Sequence, residues 1–293
     1  MQLVVLAAGH GRRFGGLKQL APVGPNGEAI MDYTVTAAAS CGFTGAVVVV
    51  REEILEEMQE HVAKFFPPSL KTEFAIQGPR RGTAEAVACT APFIEGPFAV
   101  ANADDLYACE ALAFISSHFL SGAHDADISS QHLLVGYQIL NTILTASQVK
   151  RGLINVGSDG SLERIVETSV NLRLDGRFDA TALHHDADAP APSAVLTGSE
   201  HVSMNLWGFH PRVFDELEAA LASNEANETD DTELLLPDVV ADLITSGRDR
   251  VHVVRTESRC IGITNPEDFA LVQDELSMSP LDAVARSQSN QPG

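Results

Sequence analysis

Ala46–Val50 is a run of five consecutive apolar residues, four of them valine. A row of β-branched side chains with no polar residue to face water predicts a strand covered on both faces. Such strands belong to sheets sandwiched between helices, and the neighbouring sequence keeps the matching rhythm to about residue 125. Gln2–Leu6 reads as a strand and Ala29–Cys41 has helical spacing. Glu52–Phe65 is a charged amphipathic helix stopped by Pro67 and Pro68, and Thr72–Ile76 is a third strand. Thr83–Ala91 reads as a helix ended by Pro92, with Thr83 as its cap. Pro97–Ala101 is a fourth strand that runs into Asn102-Ala103-Asp104-Asp105. The expected class is α/β: a single Rossmann-like, three-layer domain around a mixed, mostly parallel sheet.

After about residue 130 the rhythm changes. Leu133–Leu140, Gly152–Val156 and Glu163–Val166 read as strands, with Gly157-Ser158-Asp159-Gly160 a hairpin signal, so a small β-rich subregion is expected. The acidic stretch from about Asp175 to Ser199 shows no periodicity and reads as a mobile insertion. Ser203–Phe209 is another strand, with Trp207 and Phe209 expected in the core. Helices are expected over Arg212–Ser223, Glu233–Ser246 and Pro266–Leu276, with a strand at Val251–Val254. One domain over 1–276 and a polar, disordered tail over 277–293 complete the outline.

The chain has 293 residues, 45% hydrophobic and 20% charged, enough for a substantial core. Its net charge of −21 opposes sequence-independent attraction to nucleic acid or to an anionic membrane, so neither is expected as a partner. No apolar run approaches the roughly 20 residues that cross a bilayer, and the start, MQLVVLAAG, lacks a basic leader. Cys41, Cys89, Cys109 and Cys260 are far apart in sequence and read as small buried hydrophobes, with no disulfide or zinc role expected. The expected location is the cytoplasm.

The chemistry concentrates after the first strand, in Leu6-Ala7-Ala8-Gly9-His10-Gly11-Arg12-Arg13-Phe14-Gly15-Gly16-Leu17-Lys18. Glycines there permit positive φ and turn backbone N–H groups toward an anion, and the arginines and lysine add mobile positive charge. The dinucleotide fingerprint fails because Phe14 stands where its third glycine belongs. The Walker A loop fails because Leu17-Lys18-Gln19 replaces Lys-[Ser/Thr]. A solvated surface loop would also account for these residues taken alone. His184-His185-Asp186-Asp188 resembles a metal cluster in composition, yet no regular element there presets a geometry.

Strand, Leu-Ala-Ala-Gly-x-Gly-x-Arg and a following lysine and proline (Gly9, Gly11, Arg13, Lys18, Pro22) resemble the signature of the sugar-phosphate nucleotidyltransferases, the nucleotide-sugar pyrophosphorylases. The resemblance continues in order through Gln77, Gly82-Thr83-Ala84-Glu85, Asn102-Ala103-Asp104-Asp105, Arg151-Gly152, Glu163–Glu167, Asn205–Phe209 and Gly262-Ile263-Thr264-Asn265-Pro266-Glu267-Asp268. It implies an NTP-binding half over 1–125 and an acceptor-binding half over 126–276. It also implies transfer of a nucleoside monophosphate from an NTP to a sugar-1-phosphate or similar phosphorylated small molecule, with pyrophosphate released, Mg²⁺ as cofactor and a homodimer as assembly.

By the same resemblance, Leu6, Ala7, Ala8, Gly9, His10, Gly11 and Arg12 line the nucleotide. Arg13 meets the leaving phosphates, and Lys18 bridges the α-phosphate and the acceptor phosphate. Asp104 is the metal aspartate; if the strand persists, its alternation turns Asp105 the other way. Gln77 and Gly82 read the base, which favours UTP or dTTP and allows CTP; Thr83 and Asn102 stand beside them. Glu167 and Asn205 contact the acceptor. The chain departs from the family in two places: Thr168 and Ser169 follow Glu167 where a lysine is usual, and the late strand lacks a carboxylate, leaving Thr264 or Asn265 to offer a neutral oxygen to the metal. Two other readings stay open, a nucleotide-sugar-dependent glycosyltransferase and a catalytically silent nucleotide sensor.

Overall fold

The computed structural model describes residues 1–9, 17–78, 82–120, 130–143, 148–183, 193–226, 233–263 and 268–278. His10, Gly11, Arg12, Arg13, Thr264, Asn265, the 184–188 His/Asp cluster and residues 279–293 lie outside them.

β1 (Gln2–Leu6), β2 (Gly45–Val50), β3 (Lys71–Ile76) and β4 (Phe98–Asn102) form a parallel sheet in the order β3-β2-β1-β4. The valine run is fully buried, and alternate residues serve opposite faces. Leu3, Val5, Val48 and Val50 pack with α1 (Ile30–Ser40), α2 (Leu55–Phe65) and α4 (Cys109–Leu120). Val4, Val47 and Val49 pack instead with α3 (Thr83–Ala88), α5 (Val213–Ala226) and α6 (Leu236–Thr245). Two hydrophobic layers on one sheet make the three-layer architecture that the apolar run requires.

β11 (His201–Phe209) runs antiparallel to β4, carries β6 (His132–Gln138) on its other edge, and β6 in turn carries β12 (Val251–Thr256). Its two halves have different neighbours: Trp207–Phe209 pair with β4, whereas Val202 and Ser203 pair with β7 (Val149–Val156). The register slips between Ser203 and Trp207, and Asn205 sits there at φ 56°. A bulge of this kind re-aims a strand. Here it lets one strand join the parallel sheet to the β-rich subregion, which continues through β8 (Leu162–Leu172), β9 (Phe178–Ala182) and β10 (Ser193–Leu196).

Several expectations need correction. The stretch read as an aperiodic insertion contains β9 and β10, an antiparallel pair. Phe178, Ala180 and Ala182 face inward while Asp179 and Thr181 face out, a period-2 pattern hidden among small residues. The helix expected from Glu233 begins only at Leu236, where Pro237 suits the first turn. Short β5 (Asp105–Tyr107) and helix α4 lacked a sequence signal that singled them out; β5 pairs with β13 (Cys260–Gly262), the late strand that the resemblance implied. The last helix, α7, covers Asp268–Met278 and so takes in the first two residues assigned to the tail. Trp207 and Phe209 are wholly buried, as expected. Among the described residues no helix is long and apolar enough to cross a membrane.

Candidate active site

The carboxyl ends of β1, β2, β3 and β4 open into a cleft of about 900 Å³. Open α/β sheets bind ligands at this edge because the chain leaves each strand there and exposes backbone groups. Leu6, Ala8, Gly9, Gln77, Gly82, Thr83, Asn102, Asp104 and Asn205 all line it, so the sheet brings together residues from both ends of the sequence. Ala7 is fully buried beneath them, its N–H bonded to Val49 O at 2.9 Å. Glu167 lies on β8 opposite Gly152 and is not among the lining residues.

Asp104 follows the end of β4, and its carbonyl accepts the N–H of Ile263 at 3.1 Å. Its Oδ2 meets the Lys18 ammonium at 2.5 Å. Lys18 is 15% exposed and Asp104 38%, so the pair stands at the edge of solvent where an incoming anion and cation could separate it.

Asp105 points the other way, as expected. Its Oδ2 accepts the Asn102 amide at 2.8 Å, and a Cβ at Gly262 would overlap its Oδ1. Burial, with the adjacent Asp104 charge, raises this carboxyl to about 6 against the opposing pull of Asn102, Arg151 and Lys18. The late strand therefore carries glycine at 262 because the Asp105 carboxylate occupies the space its side chain would need.

Tyr107 holds the cleft floor. Its buried hydroxyl accepts the Asn102 N–H at 3.1 Å and donates to Met204 O at 2.7 Å. These groups belong to β4 and to the bulged part of β11, where direct pairing between the two strands has stopped. One phenol thus replaces ladder bonds at the junction that presents Asn102 and Asn205.

On the far wall, the Gln77 carboxamide donates to Gly82 O at 3.0 Å and to Glu85 at 3.3 Å. Gly82 has φ 110°, and a Cβ there would collide with Leu234 O. Thr83 does not cap its own helix. Its hydroxyl accepts the N–H of Leu236 at 2.8 Å, so it caps α6 instead, while Ala84 N–H reaches Leu234 O at 3.1 Å. Glu233 and Leu235 line the cleft as a result. Sequence reasoning missed them, together with Arg51, Glu52 and Glu53, which follow β2 directly. Arg51 had an available signal: it is a cation at the carboxyl end of a fully buried strand, and its Nε donates to Ala8 O at 2.9 Å.

Residues 3–132 match the model of the MobA-like NTP transferase domain. The chain is also 30% identical over 169 residues to the bifunctional protein GlmU of Geotalea uraniireducens, a match covering 56% of this chain and 33% of that protein. It thus spans about a third of the length of that relative. Solved structures give the same fold over nearly the whole chain. The inositol-1-phosphate CTP transferase of T. maritima superposes with a TM-score of 0.65 at 15% identity, covering 94% of this chain and 96% of the other. HddC of Yersinia pseudotuberculosis gives 0.56 at 15%, covering 94% and 99%. The kinship with nucleotidyltransferases and the mixed, mostly parallel α/β fold read from the sequence are both borne out.

Proposed function

We propose that the chain transfers a nucleoside monophosphate from an NTP to a phosphorylated small molecule and releases pyrophosphate. The observation that carries this is the Lys18–Asp104 pair at the mouth of the NTP transferase domain's cleft. Two phosphate groups must approach in line, and a fixed ammonium offsets their repulsion while charge builds at the α-phosphorus. Lys18 is held by Asp104 in the absence of substrate and turns to the phosphates when they arrive. Arg13, four positions after Gly9, meets the leaving phosphates.

Asp104 offers Mg²⁺ one partly exposed, hard carboxylate already facing a cation, and among the described residues no group of three or more His, Cys, Asp or Glu side chains gathers there. Bound there, Mg²⁺ would supply charge neutralisation for the triphosphate. Asp104 is the residue to hold it.

The Gln77 amide lines the cleft with its NH2 donated to Gly82 O and Glu85, and reading a pyrimidine edge through it would exchange one of those bonds for the base. UTP and dTTP fit this reading, and so does CTP, the nucleotide in the name of the T. maritima neighbour. Asn205, presented by the bulge at the cleft, and Glu167, on β8 of the β-rich subregion, are the acceptor-side residues. With Thr168 in place of the lysine usual there, a phosphorylated cyclitol or other alcohol is as good a fit as a sugar-1-phosphate.

The test is pyrophosphate release from each common NTP against sugar-1-phosphates and cyclitol phosphates, with Mg²⁺ and with excess chelator. Release dependent on one base, one acceptor class and the metal is expected. Protein that binds no NTP would overturn the proposal.

A further inference from the structure

Two of the four cysteines, separated by 67 intervening positions in the sequence, meet in the structure. Cys41 caps the C-terminus of α1 and Cys109 is the first residue of α4, and their sulfurs lie 3.0 Å apart. Both side chains are half-buried, so a small reagent can reach them. Cys41 Sγ–H also donates to Cys109 O at 3.4 Å, which orients its sulfur toward the partner. A disulfide requires sulfurs about 2.05 Å apart, so closure needs a movement of about 1 Å, within side-chain rotation.

We propose that Cys41 and Cys109 form a reversible thiol–disulfide pair that fastens α1 to α4. The two sulfurs have different environments. Cys109 is the first residue of a 12-residue helix, and Cys41 closes the end of α1. Cys41 is pushed up to about 12 by burial and by the neighbouring Cys109 sulfur, and remains a thiol until its partner has reacted. Cys109 is therefore the attacking sulfur and Cys41 the resolving one.

The co-reactant is a low-molecular-weight disulfide. The Cys109 thiolate attacks one of its sulfurs, breaks that S–S bond, expels one small thiolate and leaves a mixed disulfide on the protein. Cys41 then loses its proton to solvent, attacks Cys109 Sγ and expels the second small thiolate. One S–S bond is broken and one is formed; the protein loses two electrons and two protons, and the small disulfide gains both. A dithiol reductant reverses the sequence. The bridge sits behind the candidate active site: β5 connects Asp104 to α4, and Thr34 of α1 donates to Asp105 O at 3.4 Å. Closing it clamps the frame that carries Asp104.

The test uses the full folded chain and oxidised glutathione, with thiols titrated in denaturant by a chromogenic disulfide. The titre should fall from four to two, and unreduced peptide mapping should show Cys41 joined to Cys109. The thermal midpoint of the oxidised form should rise by about 5 °C and return with dithiothreitol. Cys41→Ala should halt at a glutathione adduct on Cys109, and Cys109→Ala should give no bridge. The two variants together keep the test valid should one fail to fold. A titre that stays at four, or a bridge to Cys89 or Cys260, would overturn the proposal.

Discussion

Lys18 and Asp104 are each other's partner, and that pairing makes their roles separable from stability. The contact is partly exposed, so its worth to the fold is small, about 0–1 kcal/mol. Lys18→Ala and Asp104→Asn should therefore each lower kcat/KM by about 100-fold or more while circular dichroism and thermal midpoint stay near wild type. Equal losses of activity and stability would assign the pair to the scaffold. Tyr107 predicts the opposite pattern. Tyr107→Phe leaves the Asn102 N–H and the Met204 carbonyl without their buried partner, at a cost of about 1–3 kcal/mol in denaturant unfolding. An unchanged midpoint would mean that the phenol does not bridge β4 and β11.

Among the elements, the crossing of α3 and the segment before α6 shapes the nucleotide side of the cleft. Gly82 has a positive φ and no room for a Cβ against Leu234 O, so Gly82→Ala should cost at least about 1–3 kcal/mol and weaken NTP binding together with stability. Equilibrium unfolding and nucleotide titration of one preparation check both; loss of neither would show that residues 233–235 do not hold that wall.

A second junction, away from the cleft, makes stability depend on pH. Asp249, ahead of β12, accepts both a bidentate grip from Arg212 before α5 and the Arg250 N–H, and faces Nε2 of His132 at the start of β6 at 3.1 Å. Burial alone would raise its carboxyl. The His132, Arg212 and Arg250 contacts outweigh burial and hold it well below the ordinary carboxylate value of about 4. The folded pKa is depressed, so the stabilisation is complete above about pH 4 and is lost as pH falls through the folded value. Asp249→Asn should lower the thermal midpoint at pH 7, and the gap to wild type should narrow by pH 3. A gap independent of pH would exclude the charge as its source.

For the molecule as a whole, what could be read from sequence is what local pattern encodes. The valine run, the proline stops and the Gly-rich turn each report their own neighbourhood, and together they require a parallel sheet with helices on both sides. Asp104 was legible as a strand-end carboxylate, Gln77 and Asn102 only through the resemblance, and the carboxyl edge of the sheet brings all three to one cleft. Features made by distant segments were not legible. Nothing local tells Thr83 that Leu236 will need its hydroxyl, tells Tyr107 that β11 will part from β4, or brings Cys41 to Cys109. Glycine at 262 was legible only as a missing carboxylate; the structure gives the cause, an Asp105 side chain filling that space.

The central claim is transfer at the α-phosphorus, and isotope position tests it most directly. The protein, Mg²⁺, an acceptor and an NTP labelled with ³²P at either the α or the γ position should give two distinct results. The account predicts α-label in a nucleoside-diphosphate-linked acceptor and γ-label in pyrophosphate, both abolished by Asp104→Asn. γ-Label appearing in inorganic phosphate or on the acceptor, with the α-label left in a free nucleoside diphosphate, would contradict it and make the protein a phosphatase or kinase of NTPs.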